Sequence, residues 1–276
     1  MRQVTEDRPR SELVPDRDVA GAFVVRTGET EQSWVDPDDP TRLEFDYVQR
    51  IADALDACAP AGERLRVVHV GGAGMTLPRY VAHTRPRSAQ IVLEPDAELT
   101  QAVRERLPLG RSSGIKVRAV DGLNGIGAMP ADYADVVVLD AFVGGQVPPE
   151  LTTTEFLADV ARVLTPGGTL MANLTDLAPF DYGRRVLAGI AEHWPHRLVS
   201  SEPATLKGRR LGNLVMLGST RPLPVEELSR KAAGSAFPYR LVVGDALARW
   251  LRGQRPFTVA DAAPSPEPRG GLTHFS

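Results

Sequence analysis

Five short apolar runs constrain this chain more than any other feature. They are Arg66–Val70, Gln90–Leu93, Lys116–Val120, Val136–Leu139 and Thr169–Ala172. Segments with apolar residues at helical spacing lie between and after them: Leu77–His83, Ala97–Arg106, Thr153–Leu164 and Tyr182–His193. The runs are continuously apolar rather than alternating, as expected of strands covered by helices on both faces. Pro166-Gly167-Gly168 predicts a tight turn into the fifth run. Arg197–Ser201 and Asn213–Gly218 add two β runs joined by a short return, which suits an antiparallel pair at a sheet edge. The expected fold class is α/β: a doubly wound, mostly parallel sheet of seven strands.

The two ends of the chain read differently. The first dozen residues are polar and proline-dotted, so they are expected to fray. Gly21–Arg26 and Glu31–Val35 predict an N-terminal β-hairpin. Asp39 or Thr41 is expected to cap a helix reaching Leu55, with Leu43, Tyr47, Ile51 and Leu55 as its inner stripe. Val225–Ala233 and Asp245–Arg252 predict a helical C-terminal extension. Ala263–Gly271 holds too many prolines for a helix or an inner strand, and predicts a disordered or surface-draped end. The expected division is 1–60 for hairpin and entry helix, 61–220 for the central domain, and 221–276 for the extension and tail.

Composition removes several function classes. Of 276 residues, 42% are hydrophobic and 24% charged, a globular balance. Basic residues number 32 and acidic residues 35, so no nucleic-acid partner is expected on electrostatic grounds. Cys58 is the one cysteine, which excludes an internal disulfide and a cysteine-cluster metal site; it reads as an inert thiol at a helix end. His69 reads as a core residue, and His193 and His196 flank a helix end. No histidine pair has ligand spacing, so no metal is expected. No apolar run reaches about 20 residues and the start lacks a secretory pattern, so the expectation is a cytoplasmic protein with no membrane partner.

The candidate site is read from what ends each strand. Val70-Gly71-Gly72-Ala73-Gly74 follows the first run. Its small residues let the backbone turn sharply and let a ligand approach the main chain. The last glycine of the dinucleotide fingerprint is absent. Glu94 closes the second run, 23 residues after Gly71, where an acid accepts from ribose hydroxyls or stands as a solvated carboxylate. Asp121 closes the third, before Gly122, as an acceptor for an exocyclic adenine amine, a helix N-cap, or both. Asp140 closes the fourth. Ligands bind outside the carboxyl ends of parallel strands, so these acids and glycines form one constellation. Asp176 and Asp181, after the fifth run, either cap the next helix or face a pocket. Lys207, Arg209 and Arg210 are either a solvated hairpin tip or a grip for an acidic substrate or partner.

On these residues, Val67–Ala172 resembles the class I S-adenosylmethionine-dependent methyltransferase fold, and within it the spermidine synthase family of aminopropyltransferases. Asp121-Gly122 is similar to the family's Gly-Asp-Gly step. Thr165-Pro166-Gly167-Gly168 is similar to its Lys-Pro-Gly-Gly turn, and Leu151-Thr152-Thr153-Thr154-Glu155-Phe156 to its loop-to-helix Leu-Tyr-Thr-x-Glu-Phe. The resemblance covers about residues 20–218, and the last fifty or so resemble an actinobacterial branch described as spermidine synthase-like. It implies that Glu94 holds ribose and Asp121 the adenine amine. It also implies that Gln32 and Tyr47 line the thioether end of the nucleoside, and that Asp140 takes a proton from an attacking amine. The implied co-substrate is S-adenosylmethionine or its decarboxylated form, the partner a small-molecule acceptor, and the assembly a homodimer.

The sequence also departs from the family. An Asp of the family's glycine loop, which grips the donor's amine, is matched by Gly74. The second acid of its Asp-Ser-x-Asp is matched by Val143, and the Tyr-His-Glu of its entry helix reads Tyr47-Val48-Gln49. Acids are lost and cations gained around the acceptor side, which argues against putrescine, whose two ammonium groups each need an acceptor. The expected function is a transferase alkylating a small-molecule acceptor. A small-molecule methyltransferase and a non-catalytic adenosyl-nucleoside-binding module are the alternatives.

Overall fold

The computed structural model describes residues 11–28 and 30–268. It opens with β1 (Ser11–Pro15), β2 (Phe23–Thr27) and β3 (Thr30–Val35), an antiparallel sheet in that order. The expected hairpin is thus three-stranded. Residues 1–10 of the expected frayed start lie outside the described residues, whereas Ser11 and Glu12 pair with Thr27 and Arg26. The entry helix α1 (Asp46–Cys58) begins later than expected. Asp39 instead accepts from the Thr41 N–H and hydroxyl, closing a turn before the helix. The stripe Leu43, Tyr47, Ile51 and Leu55 is buried.

The central units follow as β4 (Arg66–Val70), α2 (Thr76–Thr84), β5 (Ala89–Leu93), α3 (Ala97–Arg106), β6 (Ile115–Arg118), α4 (Gly122–Gly127) and β7 (Ala134–Leu139). A 3-10 turn, Pro149–Thr152, leads into α5 (Thr154–Val163), β8 (Leu164–Asp176), α6 (Asp181–His193), β9 (His196–Ser201), α7 (Pro203–Leu206) and β10 (Gly212–Ser219). The chain continues through α8 (Val225–Gly234), β11 (Arg240–Val242) and α9 (Gly244–Leu251). The sheet order is β11-β9-β10-β8-β7-β4-β5-β6. Strands β6, β5, β4, β7 and β8 run parallel, and β10 enters antiparallel between β8 and β9. The fold is the expected doubly wound α/β class. It has eight strands rather than seven, because β11 adds to the free edge of β9. Three residues carry no periodicity that a sequence reading can detect.

Alternate residues of each strand serve two apolar layers, which is why the runs read as continuous. Val68, Val70, Leu139, Leu170 and Leu174 join Phe156, Leu157 and Ile190 on one face. Val67, Val136, Val138, Met171 and Val215 join Ile51 and Leu55 of α1 on the other, together with Val24 and Trp34. His69 is buried against Gln90 at 2.9 Å, and burial lowers it to about 4, so it is a neutral core residue as expected. Burial pushes the Cys58 thiol up to about 11. No helix among the described residues is long and apolar enough to cross a membrane.

The C-terminal segment departs from expectation within its described part, up to residue 268. It has no regular structure after α9, yet Ser265 is only 1% exposed. Its hydroxyl accepts from the Val147 N–H at 2.9 Å and lies 3.1 Å from Thr175 Oγ1. The segment is therefore packed into the rim of the sheet. Arg269, Gly270 and Gly271 of that expectation lie outside the described residues.

Candidate functional site

β4 is the strand at which the sheet order reverses, with β5 on one side and β7 on the other. The loop after it is built by exclusion. Gly71 has φ +90°, and a Cβ there would fall 2.2 Å from the Asp140 carbonyl oxygen. No side chain fits, so the backbone after β4 lies directly against the backbone after β7. A Cβ at Gly72 would meet Val92 Cγ1 at 2.5 Å. At Gly74 it would meet Val35 Cγ2 at 2.5 Å and Ser33 Oγ at 2.8 Å, both on β3. Thr76 ties the same junction by donating to the Trp34 carbonyl at 2.7 Å. Gln32 is half-buried on β3, and its neighbour Ser33 is the residue that meets the loop.

Glu94 turns inward at the end of β5. Its Oε2 accepts from Gly72 N–H at 3.1 Å and Ala73 N–H at 3.2 Å, and its Oε1 from Asp96 N–H at 3.0 Å. These bonds hold the carboxylate against the glycine loop. Asp121 is used locally. One of its oxygens accepts from the Asn124 N–H and the other from the Asn124 side-chain amide, each at 2.8 Å. These bonds cap α4 and lower the carboxyl below its ordinary value. Gly122 packs on the other side, where a Cβ would meet Val70 Cγ1 at 2.4 Å.

Asp140 follows β7 and is half-buried. Asn173 on β8 donates its amide N–H to it at 2.9 Å. Loss of water raises the carboxyl from 3.8 to about 6, against the opposing hydrogen bond. Tyr47 of α1 is buried beside it. Desolvation pushes its phenol well above the ordinary value, and the Asp140 and Asp46 carboxylates push it further. Asp46 is itself buried and paired with Arg50 at 3.1 Å. Arg50 also donates to the Ser200 and Asn213 carbonyls at 2.8 and 3.2 Å, which fixes α1 over the sheet rim.

The structure thus gathers Gly71, Gly72, Glu94, Tyr47 and Asp140 around the switch point. The hydrogen bonds of Asp121 instead go to its own helix. Sequence reasoning missed Asp46, Arg50 and Asn173. The first two were legible as an i,i+4 pair flanking Tyr47. Asn173 lay just beyond the expected end of its strand, which runs on to Asp176.

The remaining acids and cations resolve simply. Asp176 accepts from Gly183 N–H at 2.7 Å and Leu177 N–H at 2.8 Å, pinning the start of α6, and burial raises it to about 6. It also lines a cavity of about 520 Å³ with Asp181; the capping reading holds for Asp176, through the Gly183 N–H. The expected hairpin tip is instead α7 and a turn. Lys207 and Arg209 stand exposed there, and Arg210 pairs with Glu202 at 2.7 Å.

No family model matches the chain. A polyamine aminopropyltransferase from Vibrio vulnificus is 29% identical over 157 residues, 55% of this chain and 51% of that protein. The chain therefore spans about half the length of this curated relative. The crystal structure of a probable spermidine synthase from Corynebacterium glutamicum is 28% identical. It superposes with a TM-score of 0.83 over 90% of this chain and 92% of the other. The chain is spermidine synthase-like. A spermidine synthase solved with the transition-state analogue AdoDATO shares the fold at 16% identity, with a TM-score of 0.59 over 89% of this chain and 85% of the other.

Proposed function

We propose that this chain is a transferase that binds an adenosyl sulfonium donor beside Glu94 and passes its alkyl group to an amine held at Asp140. One observation carries the reading: a carboxyl titrating near 6, held by Asn173 and flanked by Tyr47, abuts the glycine loop at the strand-order reversal. A base with that pKa is ionised at neutral pH yet basic enough to take a proton.

Each residue then has a task. Gly71 and Gly72 keep the loop free of side chains, so that a nucleoside approaches the main chain. Glu94 keeps a lone pair beyond its three backbone bonds for a ribose hydroxyl. Asp121 retains acceptor capacity for the adenine amine while capping α4, and Gly122 lets the start of α4 pack against Val70. Gln32 and Tyr47 line the thioether end. Asp140 accepts a proton from the acceptor's ammonium. The freed nitrogen lone pair forms the new N–C bond as the C–S bond breaks, its electron pair passing to sulfur. The sulfonium already leaves well, so these residues act by orienting the nucleophile and holding its proton.

Ser33 and Val35 fill the space beside Gly74, and this favours a second reading of the donor. No side chain at position 74 is available to hold a donor's amine, so methyl transfer from S-adenosylmethionine stands beside aminopropyl transfer. Calorimetric titration with methylthioadenosine, S-adenosylmethionine and its decarboxylated form distinguishes the donors, and mass spectrometry of products from an amine panel tests turnover. Binding without product from any amine would make the chain a nucleoside-binding module. Loss of adenosyl binding in all three titrations would defeat the reading.

A further inference from the structure

The cavity of about 520 Å³ beside Asp176 lies apart from the Asp140 site. Side chains alternate along β8: Leu170 and Leu174 pack in the layer of α6, and Met171 packs in the layer of α1. Asn173, which donates to Asp140, falls on the α1 side by that alternation, and Asp176 on the α6 side. The cavity is lined from β8, α6 and the C-terminal segment, and among the described residues none from Asp140 to Val147 lines it.

Its walls are apolar and fixed. Tyr182 and Phe257 are both buried, with ring centroids 5.4 Å apart, and three prolines extend the surface. Phe257 is anchored through its carbonyl, which accepts from the Thr154 N–H at 2.8 Å. Pro264 and Pro266 are held by Ser265 between them, whose hydroxyl accepts from the Val147 N–H and lies 3.1 Å from Thr175 Oγ1. A preformed hollow of this size, apolar with a few polar groups, suits a small organic ligand.

The polar groups decide the ligand's charge. Asp176 is 2% exposed, and its oxygens accept from the backbone N–H groups of Leu177 and Gly183, which are neutral donors. Asp181, exposed in the first turn of α6, adds a like charge that raises Asp176 further. Among the described residues neither carboxylate stands in an ion pair. The nearby cations are engaged elsewhere. Arg185 pairs with Asp261, donates to the Pro256 carbonyl at 2.9 Å and lies over the Phe257 ring at 3.8 Å. Arg184 draws Asp176 down, but it sits over the Trp250 ring, 5.8 Å from the centroid. The N-terminus of α6 would attract an anion, yet Asp176 and Asp181 already answer its dipole. A buried carboxylate with no counter-charge is instead stabilised by a cation.

We propose that this cavity is a second ligand site, which takes an organic ammonium with an apolar, ring-sized body. The ammonium donates to Asp176, whose two oxygens each keep an acceptor position beyond the backbone bond they take. Asp181 adds its charge, and the body packs between Tyr182, Phe257 and the prolines, whose aromatic members also favour a cation. The site needs no adenosyl compound, so it goes beyond the transferase reading and stands without it.

The test is calorimetric titration of the full chain with phenethylamine, 2-phenylethanol and 3-phenylpropanoate, which share a body and differ in charge. All three are also titrated into Asp140→Asn, which removes the amine position of the transferase reading, so that binding retained there belongs to the cavity. In both proteins phenethylamine is expected to bind about tenfold or more tighter than the alcohol and the carboxylate. In the Asp140→Asn background, Ala263→Phe, which fills the cavity from its wall, and Asp181→Lys, which reverses a charge, are each expected to weaken phenethylamine about fivefold or more. Denaturation midpoints check that each variant is folded. Should Ala263→Phe fail to fold, Asp181→Lys and the charge series on the unaltered wall still decide. Loss of phenethylamine binding in Asp140→Asn overturns the proposal, as does equal binding of the alcohol or the carboxylate, or unchanged affinity in either folded cavity variant. Failure to bind adenosyl compounds defeats the transferase reading alone, because these titrations contain none.

Discussion

The Asn173 side-chain nitrogen lies 2.9 Å from an Asp140 carboxylate oxygen, across two parallel strands whose register pairs Leu139 with Ala172. The next residues, Asp140 and Asn173, therefore emerge on the same face. The amide holds the carboxylate in one orientation while burial keeps it half-way between an ordinary acid and a neutral-pH base. It does so beside Tyr47, where the Gly71 backbone abuts its own.

Asp140→Asn should remove transfer activity by about 10²–10⁴-fold, the usual worth of a general base. Methylthioadenosine affinity should stay within about twofold, because Glu94 and the glycine loop are untouched. In the wild type, kcat/KM should rise with pH through about 6 as the carboxyl ionises, then level off. A pH–rate profile flat from 5 to 8 would remove Asp140 from the base role.

The same carboxyl makes a stability prediction of opposite sense. Its folded pKa, about 6, lies above the ordinary 3.8, so between those values the native state holds the proton more tightly than the unfolded chain. Stability therefore falls as pH rises through that window, and the cost of the buried charge is complete above 6. Asp140→Asn should be the more stable protein at pH 7.5, by on the order of 2 kcal/mol, and equal to the wild type near pH 3.5. Denaturant titrations at the two pH values check both the sign and the window.

Gly71→Ala should unfold readily. The residue has φ +90°, and its Cβ would fall 2.2 Å from the Asp140 carbonyl, a backbone atom that cannot swing aside. Strain of this kind costs on the order of 1–3 kcal/mol before any clash is counted. The expected result is a lowered denaturation midpoint together with weakened adenosyl binding. A normal midpoint would mean that the two loops do not abut.

Asp121 carries two possible duties, and two substitutions separate them. Asp121→Ser keeps an N-cap oxygen for the Asn124 N–H and removes the carboxylate, whereas Asp121→Ala removes both. The serine variant should keep its stability and lose about tenfold in methylthioadenosine affinity, roughly 1.4 kcal/mol. The alanine variant should also lose about 1 kcal/mol of stability through the cap. Unchanged affinity in the serine variant would leave Asp121 as a cap alone.

Most of the elements were legible because their signals are local. The β4 and α3 boundaries match the residues that pattern alone assigns, since an apolar run or a capped helical stripe is visible within a window of ten residues. The start of α1 was not, because Asp39 closes an Asx turn onto Thr41 and leaves the helix to begin at Asp46 without a side-chain cap. Strand β11 escaped because three residues have no period. Glu94, Asp121 and Asp140 were legible as acids at strand ends, but not where their oxygens point. Only the fold shows Glu94 turned to the glycine loop, Asp121 turned to Asn124 and Asp140 turned to Asn173.

By itself, then, the order of residues determined the doubly wound sheet and the rim at which acids and glycines collect. Hydrophobic period, strand length and turn chemistry act between near neighbours along the chain. Tertiary structure alone decided that the Asp46–Arg50 pair clamps α1 to Ser200 and Asn213. It likewise decided that Ser33 and Val35 fill the space at Gly74, and that Ser265 bolts the loop after Asp140 to the end of β8. The contacts across elements join residues 39 to 163 positions apart. Their geometry depends on strand register and on desolvation, and neither exists until the chain has closed on itself.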